Sequence, residues 1–156
     1  MYFEEFYIGQ CFQCDPKYIT AEEIHSFATK YDPHPIHIDK EYAENHSMFD
    51  GIISSGFLTV SAMWGQWIRS GVFGNEFLVG KNFDYIKFTK PVRDQDILST
   101  EVEVMDLRET SDVTRGEITI KFTVTNQEDE VVLLAQLKAL LKTKAAVTAG
   151  ETAIVK

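Results

Sequence analysis

Residues 55–69 read Ser-Gly-Phe-Leu-Thr-Val-Ser-Ala-Met-Trp-Gly-Gln-Trp-Ile-Arg, and this stretch decides which fold the chain can adopt. Apolar residues leave almost no polar side on a helix drawn through it: Phe57, Leu58, Val60, Ala62, Met63, Trp64, Trp67 and Ile68. A helix that is apolar all round is normally buried. The sequence therefore predicts a central helix over residues 55–69 that other elements surround.

Four later segments have the pattern of strands, at residues 83–88, 97–106, 116–126 and 131–142. The third alternates most clearly between apolar and polar residues, as expected of a sheet with one dry face. Its apolar positions are Ile118, Ile120, Phe122 and Val124. The last segment would also suit a helix. We favour a strand there, because the polar turn at 126–130 would give it a hairpin partner.

A buried helix followed by several antiparallel strands predicts an α+β domain of the hotdog type, an antiparallel sheet wrapped around a long central helix. The 156 residues have the length of one domain, and no internal repeat divides them. We expect a single hotdog domain over residues 1–144. Residues 145–156 are small and polar with no apolar anchor, so a loosely ordered C-terminal tail is expected there.

Charge and hydropathy narrow the possible partners of the chain. The formal net charge is -9, and a nucleic-acid or anionic-membrane partner would require a basic face. No stretch approaches the roughly 20 apolar residues of a membrane span, and the N-terminus lacks the features of a secretion signal. We therefore expect a cytoplasmic protein that binds neither nucleic acid nor membrane.

The two cysteines stand in Cys11-Phe-Gln-Cys14, a spacing found in zinc sites and redox pairs. Residues 8–18 have a strand pattern, and side chains three apart on a strand point to opposite faces. The second ligand pair that zinc would need is also absent from the sequence. We favour a structural role for both cysteines.

Residues 31–39, Tyr-Asp-Pro-His-Pro-Ile-His-Ile-Asp, are the candidate functional segment. A helix is predicted over residues 20–31 from the capping-box pattern Thr20-Ala-Glu-Glu23, and a second over 40–45 capped by Asp39. Two prolines stiffen the connection between the helices and favour an extended chain there. We interpret Asp32 and His37, which this stiff segment would hold in place, as a proton-transfer pair. A fully extended chain would separate the pair by about 16 Å, so the segment must bend for both to reach one water.

Other interpretations of these side chains remain open. Asp32 before proline could simply end the helix and bind nearby backbone. His34, His37 and Asp39 have the residue types and spacing of a divalent metal site. Of the remaining histidines, His25 on the first helix and His46 in a loop are interpreted as solvated surface residues.

Three motifs taken in order carry a resemblance to a known family. They are Asp32-Pro-His-Pro-Ile-His37, the pair Ser55-Gly56 at the start of the central helix, and Phe-Thr-Lys-Pro-Val-Arg-Asp-Gln-Asp at 88–96. Over residues 8–144 the chain resembles the MaoC-like dehydratases, of the (R)-specific enoyl-CoA hydratase type. The resemblance implies a hotdog fold, a homodimer or pseudo-dimer as the working unit, and an acyl-CoA or acyl-carrier-protein thioester bound in a tunnel near the subunit interface. It implies no metal and no cofactor apart from coenzyme A within the substrate.

The resemblance also implies roles for particular residues in hydrating a trans-2-enoyl thioester or in the reverse dehydration. Asp32 and His37 would be catalytic and hold the water, and the backbone N–H of Gly56 would bind the thioester oxygen. The chain departs from the family pattern at His34, where asparagine is usual, and at Ser55, where histidine is usual. A serine expected about two turns into the helix is replaced near Trp64, and Ser61 is the nearest hydroxyl. His34, Ser55 and Ser61 are therefore the candidate substrate-positioning residues.

Two other functions suit the same fold. An acyl-CoA thioesterase would use a carboxylate and water to attack the thioester carbonyl, and a non-catalytic subunit would only bind an acyl thioester. A tryptophan facing the substrate tunnel, Trp64 or Trp67, would favour a small acyl group. We favour core packing for both tryptophans.

Overall fold

An antiparallel sheet packs around one long helix in the computed structural model, which describes residues 1–154 and the side chains of residues 1–150. The helices are α1 (Ala21–Tyr31), α2 (Pro35–Ile38), α3 (Lys40–His46), α4 (Gly56–Arg69) and α5 (Lys144–Ile154). The strands are β1 (Cys11–Gln13), β2 (Lys17–Tyr18), β3 (Phe77–Phe88), β4 (Ile97–Glu109), β5 (Arg115–Thr125) and β6 (Val131–Lys142). Short 3-10 turns lie at Phe3–Glu5 and Gly74–Glu76. The predicted α+β hotdog fold is confirmed.

The sheet has the strand order β1-β4-β5-β6-β3, with β2 paired to β4. The segment 131–142, which the sequence left ambiguous, is a strand paired with both β5 and β3. Strand β3 begins six residues before the predicted start at 83 and forms one edge of the sheet. Asp84 of β3 accepts hydrogen bonds from Gln136 and Lys138 of β6, and these bonds lower the pKa of the Asp84 carboxyl.

The core lies between α4 and the sheet. The alternation predicted for β5 is confirmed, because its four apolar positions are fully buried. Trp67 is fully buried as expected, whereas Trp64 is half-buried and packs against Phe77 and Phe122. The helix is not buried on every side, since Phe57 is 66% and Ile68 41% exposed. The sheet covers only one side of α4, so an apolar stripe remains uncovered in the single chain.

The connection after α1 differs from the predicted extended segment. Thr20 caps α1 by accepting the Glu23 N–H at 3.1 Å, and the helix ends before Asp32, whose φ of -151° and ψ of 69° are neither helical nor fully extended. The chain then turns helical again at Pro35. Proline suits the first position of a helix because its fixed φ is already helical and its missing N–H would have no partner there. The turn of α2 supplies the bend that the sequence required but could not show.

A helix, α5, replaces the loosely ordered tail expected after residue 144. Ala145, Ala146 and Ala149 are strong helix formers and favour a helix in this segment. The N–H of Lys144 also donates to the Glu4 carboxylate at 3.1 Å, which ties the start of α5 to the body of the protein. Residues 155–156 of the expected tail lie outside the described residues. No helix in residues 1–154 has the length and apolar character needed to cross a membrane.

Candidate active site

Asp32 and His37 lie in direct contact, with Nε2 of His37 3.2 Å from Oδ2 of Asp32. Asp32 follows the last residue of α1, and the single turn of α2 brings His37 back toward it. His37 is buried, while the Asp32 side chain keeps 28% of its surface exposed. The two candidate catalytic residues therefore form one unit, and only its carboxylate end reaches solvent to any extent.

The His37 ring is oriented by backbone. Its Nδ1 lies 2.7 Å from the carbonyl oxygen of Ile53, and a carbonyl can only accept, so Nδ1 carries a hydrogen. The Nε2 lone pair would then face another acceptor, the Asp32 carboxylate. That contact is attractive only when one proton lies between the two groups. The pair is thus built to share a proton.

Ser55 holds the same carboxylate from the other side. It is fully buried and is the N-cap of α4, where its Oγ accepts the Phe57 N–H at 3.2 Å. The Ser55 hydroxyl donates to Oδ2 of Asp32 at 2.7 Å. Within the described part of the chain, Oδ1 of Asp32 has no hydrogen-bond partner. Oδ2 is therefore occupied by protein groups, and Oδ1 is left for a ligand or water.

Gly56 opens α4, and its N–H donates to no acceptor among the described residues. The Phe88 ring lies directly against it, because a Cβ added at position 56 would be 2.6 Å from a Phe88 ring carbon. Both residues line a cavity of about 210 Å³ whose other walls include Ile53, Thr59 and Val132 but neither Asp32 nor His37. A free backbone donor at a helix N-terminus thus borders an apolar cavity, an arrangement suited to an oxygen that gains negative charge.

Of the other two candidate positioning residues, His34 lies next to His37, with the ring centroids 6.4 Å apart, and Ser61 lies elsewhere. His34 is exposed and caps α2, since its Nδ1 accepts the Ile36 N–H at 3.3 Å. Ser61 donates to the Phe57 carbonyl at 2.8 Å and lines a separate groove of about 670 Å³ that includes neither Asp32 nor His37. The structure brings Asp32, His37 and Ser55 together beside Gly56, but not Ser61.

Two contributors escaped the sequence reasoning. The Ile53 carbonyl orients His37, and the sequence could not indicate this contact because every residue has a backbone carbonyl. Phe88 belongs to the quoted 88–96 motif, yet nothing in that motif shows that its ring packs on Gly56. The segment 53–56 before and into α4 therefore contacts His37 and Asp32 and presents the free N–H.

The structure does not assemble the residues considered for a metal site. In residues 1–154, no group of three His, Cys, Asp or Glu side chains converges as ligands would. Asp39 instead caps α3 by accepting the Tyr42 N–H at 3.0 Å. The strand predicted over residues 8–18 is two short strands, β1 and β2, and Cys14 lies between them. Cys11 is exposed and Cys14 is buried, and burial raises the pKa of the Cys14 thiol.

Comparison with known proteins shows the family of the chain. Residues 5–130 match the family described as MaoC like domain. The chain belongs to the MaoC-like dehydratase family. It is also 33% identical over 142 residues to the uncharacterized protein YdeM of Bacillus subtilis (strain 168), which covers 91% of this chain and 99% of that protein. The predicted family is therefore confirmed.

Solved structures of the family have the same fold. A MaoC-like dehydratase from Rhodospirillum rubrum is 26% identical, with a TM-score of 0.86 over 92% of this chain and 98% of that chain. The (R)-hydratase from A. caviae involved in PHA biosynthesis is 24% identical, with a TM-score of 0.64 over 87% of this chain and 97% of that chain. At that identity the (R)-hydratase shows a shared fold.

Proposed function

We propose that this MaoC-like protein catalyses the (R)-specific hydration of a trans-2-enoyl thioester, or the reverse dehydration of a 3-hydroxyacyl thioester. The observation that carries the proposal is the Asp32–His37 contact, which the Ser55 hydroxyl connects to the residue directly before the free N–H of Gly56. Membership of the MaoC-like dehydratase family and the fold shared with an (R)-hydratase support it. Acyl-CoA is the substrate form that we propose testing first.

The chemistry assigns one task to each group. As the water oxygen bonds to C3, one water proton passes to the Asp32–His37 pair, and the pair delivers a proton to C2. The electron pair of the double bond moves toward the thioester oxygen, which becomes enolate-like. The Gly56 N–H at the positive end of α4 would stabilise that oxygen. One such donor is worth about 3 to 4 kcal/mol in other oxyanion holes.

The proposed water lies beside the pair rather than between its two members. A separation of 3.2 Å between Nε2 and Oδ2 is a direct hydrogen-bonding distance, so no water fits there. Oδ1 of Asp32 belongs to a partly exposed side chain and is free of protein partners within the described residues. We therefore propose that the reacting water binds Oδ1, which refines the expectation of a water shared by Asp32 and His37.

The proposal is tested by incubating the protein with enoyl-CoA thioesters of graded length. We expect the conjugated enoyl absorbance to fall without release of free thiol, and chiral analysis to find the (R)-alcohol. Release of thiol would instead indicate the thioesterase alternative. Tight binding without any turnover, on acyl-CoA and acyl-carrier-protein thioesters alike, would indicate the non-catalytic subunit.

We further propose that the protein works as a homodimer joined through β3 and the uncovered stripe of α4. Strand β3 is an edge strand of 12 residues with a largely exposed surface. Long exposed edges with apolar side chains normally pair with another strand. The exposed apolar residues on β3 are Leu78, Val79, Phe83, Ile86 and Phe88. A second copy could cover this edge and the stripe by a two-fold contact.

Light scattering should therefore give a mass twice the 17.8 kDa of one chain. Phe57→Asp, which places a charge on the 66%-exposed stripe residue, is expected to shift the protein toward monomer at micromolar concentration. Val113→Asp is the matched control, because Val113 is 73% exposed outside β3 and α4. A monomeric wild-type protein with full activity would contradict the dimer.

A further inference from the structure

We propose that Ser55 is a positioning residue, whose hydroxyl fixes the Asp32 carboxylate so that Oδ1 faces the reacting water. The sequence placed Ser55 among the candidates for touching substrate, in a position where the family usually has histidine. The geometry points to a different role for this chain. This inference rests on the proposed hydratase function.

Ser55 has no hydrogen left to donate to a substrate oxygen. A serine hydroxyl has one hydrogen to donate, and the 2.7 Å contact with Oδ2 of Asp32 uses it. The same oxygen accepts the Phe57 N–H at 3.2 Å. The side chain is also fully buried. Both ends of this short chain of hydrogen bonds are protein groups, so Ser55 acts on the reaction only through Asp32.

The two contacts on Oδ2 fix the orientation of the carboxylate. An aspartate carboxylate otherwise turns broadly about its last side-chain bond, since that torsion has no sharp wells. Ser55 and His37 approach the same oxygen at 2.7 and 3.2 Å from different elements, α4 and α2. With Oδ2 held twice, the carboxylate plane and the direction of Oδ1 are set before a substrate arrives. Such preorganisation matters because small misplacements of a reacting group cost large factors in rate.

Ser55 also links the carboxylate to the proposed thioester site. The Phe57 N–H that binds Oγ and the free N–H of Gly56 belong to the same first turn of α4. A movement of this turn would therefore shift the Asp32 carboxylate and the oxygen donor together. The Ser55 hydroxyl would therefore keep Oδ1 of Asp32, the proposed water-binding oxygen, in a fixed position relative to the Gly56 N–H that would bind the thioester.

Three substitutions separate positioning from helix capping. Ser55→Ala removes both the Asp32 bond and the N-cap, whereas Ser55→Gly removes the Asp32 bond but leaves a residue that is well tolerated at an N-cap. Both are expected to lower kcat about ten- to a hundredfold on an enoyl-CoA, with KM within about twofold of wild type. Ser55→Thr keeps the hydroxyl and is expected to restore kcat to within about fivefold.

Ser70→Ala is the matched control, because the Ser70 hydroxyl lies at the other end of α4, where it accepts the Val72 N–H and donates to the Trp67 carbonyl rather than to Asp32. It should leave kcat near the wild-type value. If wild-type protein hydrates enoyl thioesters and Ser55→Gly matches it, the positioning role is overturned while the proposed function stands. The role is also overturned if KM rises and kcat does not change, since Ser55 would then bind substrate. A wild-type protein without hydratase activity on any enoyl thioester would remove the proposed function and this inference together.

Discussion

Asp32→Asn is expected to lower the turnover of an enoyl thioester by at least about a hundredfold while the protein stays folded. The amide keeps the size of the carboxylate and can still accept a bond from Ser55 on its oxygen. It cannot take a proton from water at neutral pH. His37→Ala should cause a loss of the same order, because Asp32 would then have no partner with which to share a proton.

The measurement is kcat for both variants beside the midpoint of thermal unfolding. His46→Ala is the control for loss of a histidine, since His46 is exposed at the end of α3 and does not contact the pair. Turnover within about tenfold of wild type in either site variant would contradict the assignment of the pair. Retention of tight thioester binding in an inactive Asp32→Asn variant would show that the carboxylate serves the reaction rather than binding.

Trp67→Ala is expected to reduce the free energy of unfolding by about 3 to 5 kcal/mol, a large part of the stability of a domain this size. Trp67 is fully buried, and its ring centroid lies 4.9 Å from that of Phe73 and 5.6 Å from that of Phe12. Removal of the indole would leave a cavity between α4 and the sheet that neighbouring rings can only partly fill.

Trp67→Phe should cost much less and provides the comparison. Within the described residues, the indole N–H of Trp67 is buried without a hydrogen-bond partner, so its removal costs no hydrogen bond. Urea denaturation at one fixed protein concentration measures both variants, because a dimer would make apparent stability depend on concentration. A loss below about 1 kcal/mol for Trp67→Ala would show that α4 is not the centre of the core.

The fold could be predicted because burial leaves a periodic pattern. The alternation in β5 and the buried apolar residues of α4 reflect the packing of the sheet against one side of that helix. The uncovered stripe of α4 could not be predicted, because an apolar residue such as Phe57 gives the same sequence pattern whether it is buried in the core or exposed at the surface. The turn at Pro35 was missed because proline both ends helices and begins them.

The candidate site, like the fold, could be predicted only in part. The spacing of Asp32 and His37 survives as a motif, but their contact depends on the turn of α2 and on the Ile53 carbonyl. The sequence shows a serine at position 55 but does not show whether its hydroxyl binds a substrate or a carboxylate. Its partner became visible only when α1 and α4 were placed together, because the two residues are 23 positions apart.

The order of strands has a consequence for how the chain acquires its site. Strand β3 precedes β4 and β5 in the sequence, yet its partner is β6, with Phe88 opposite Leu133. A chain emerging from the ribosome must therefore hold β3 unpaired until the last strand has been synthesised. The segment between β3 and β4 binds the chain next to the site, because its Val92 carbonyl accepts the Ser54 N–H at 2.7 Å. The active site should therefore form late in folding, after β6 has paired with β3 and β5 and the segment around Ser55 has become ordered.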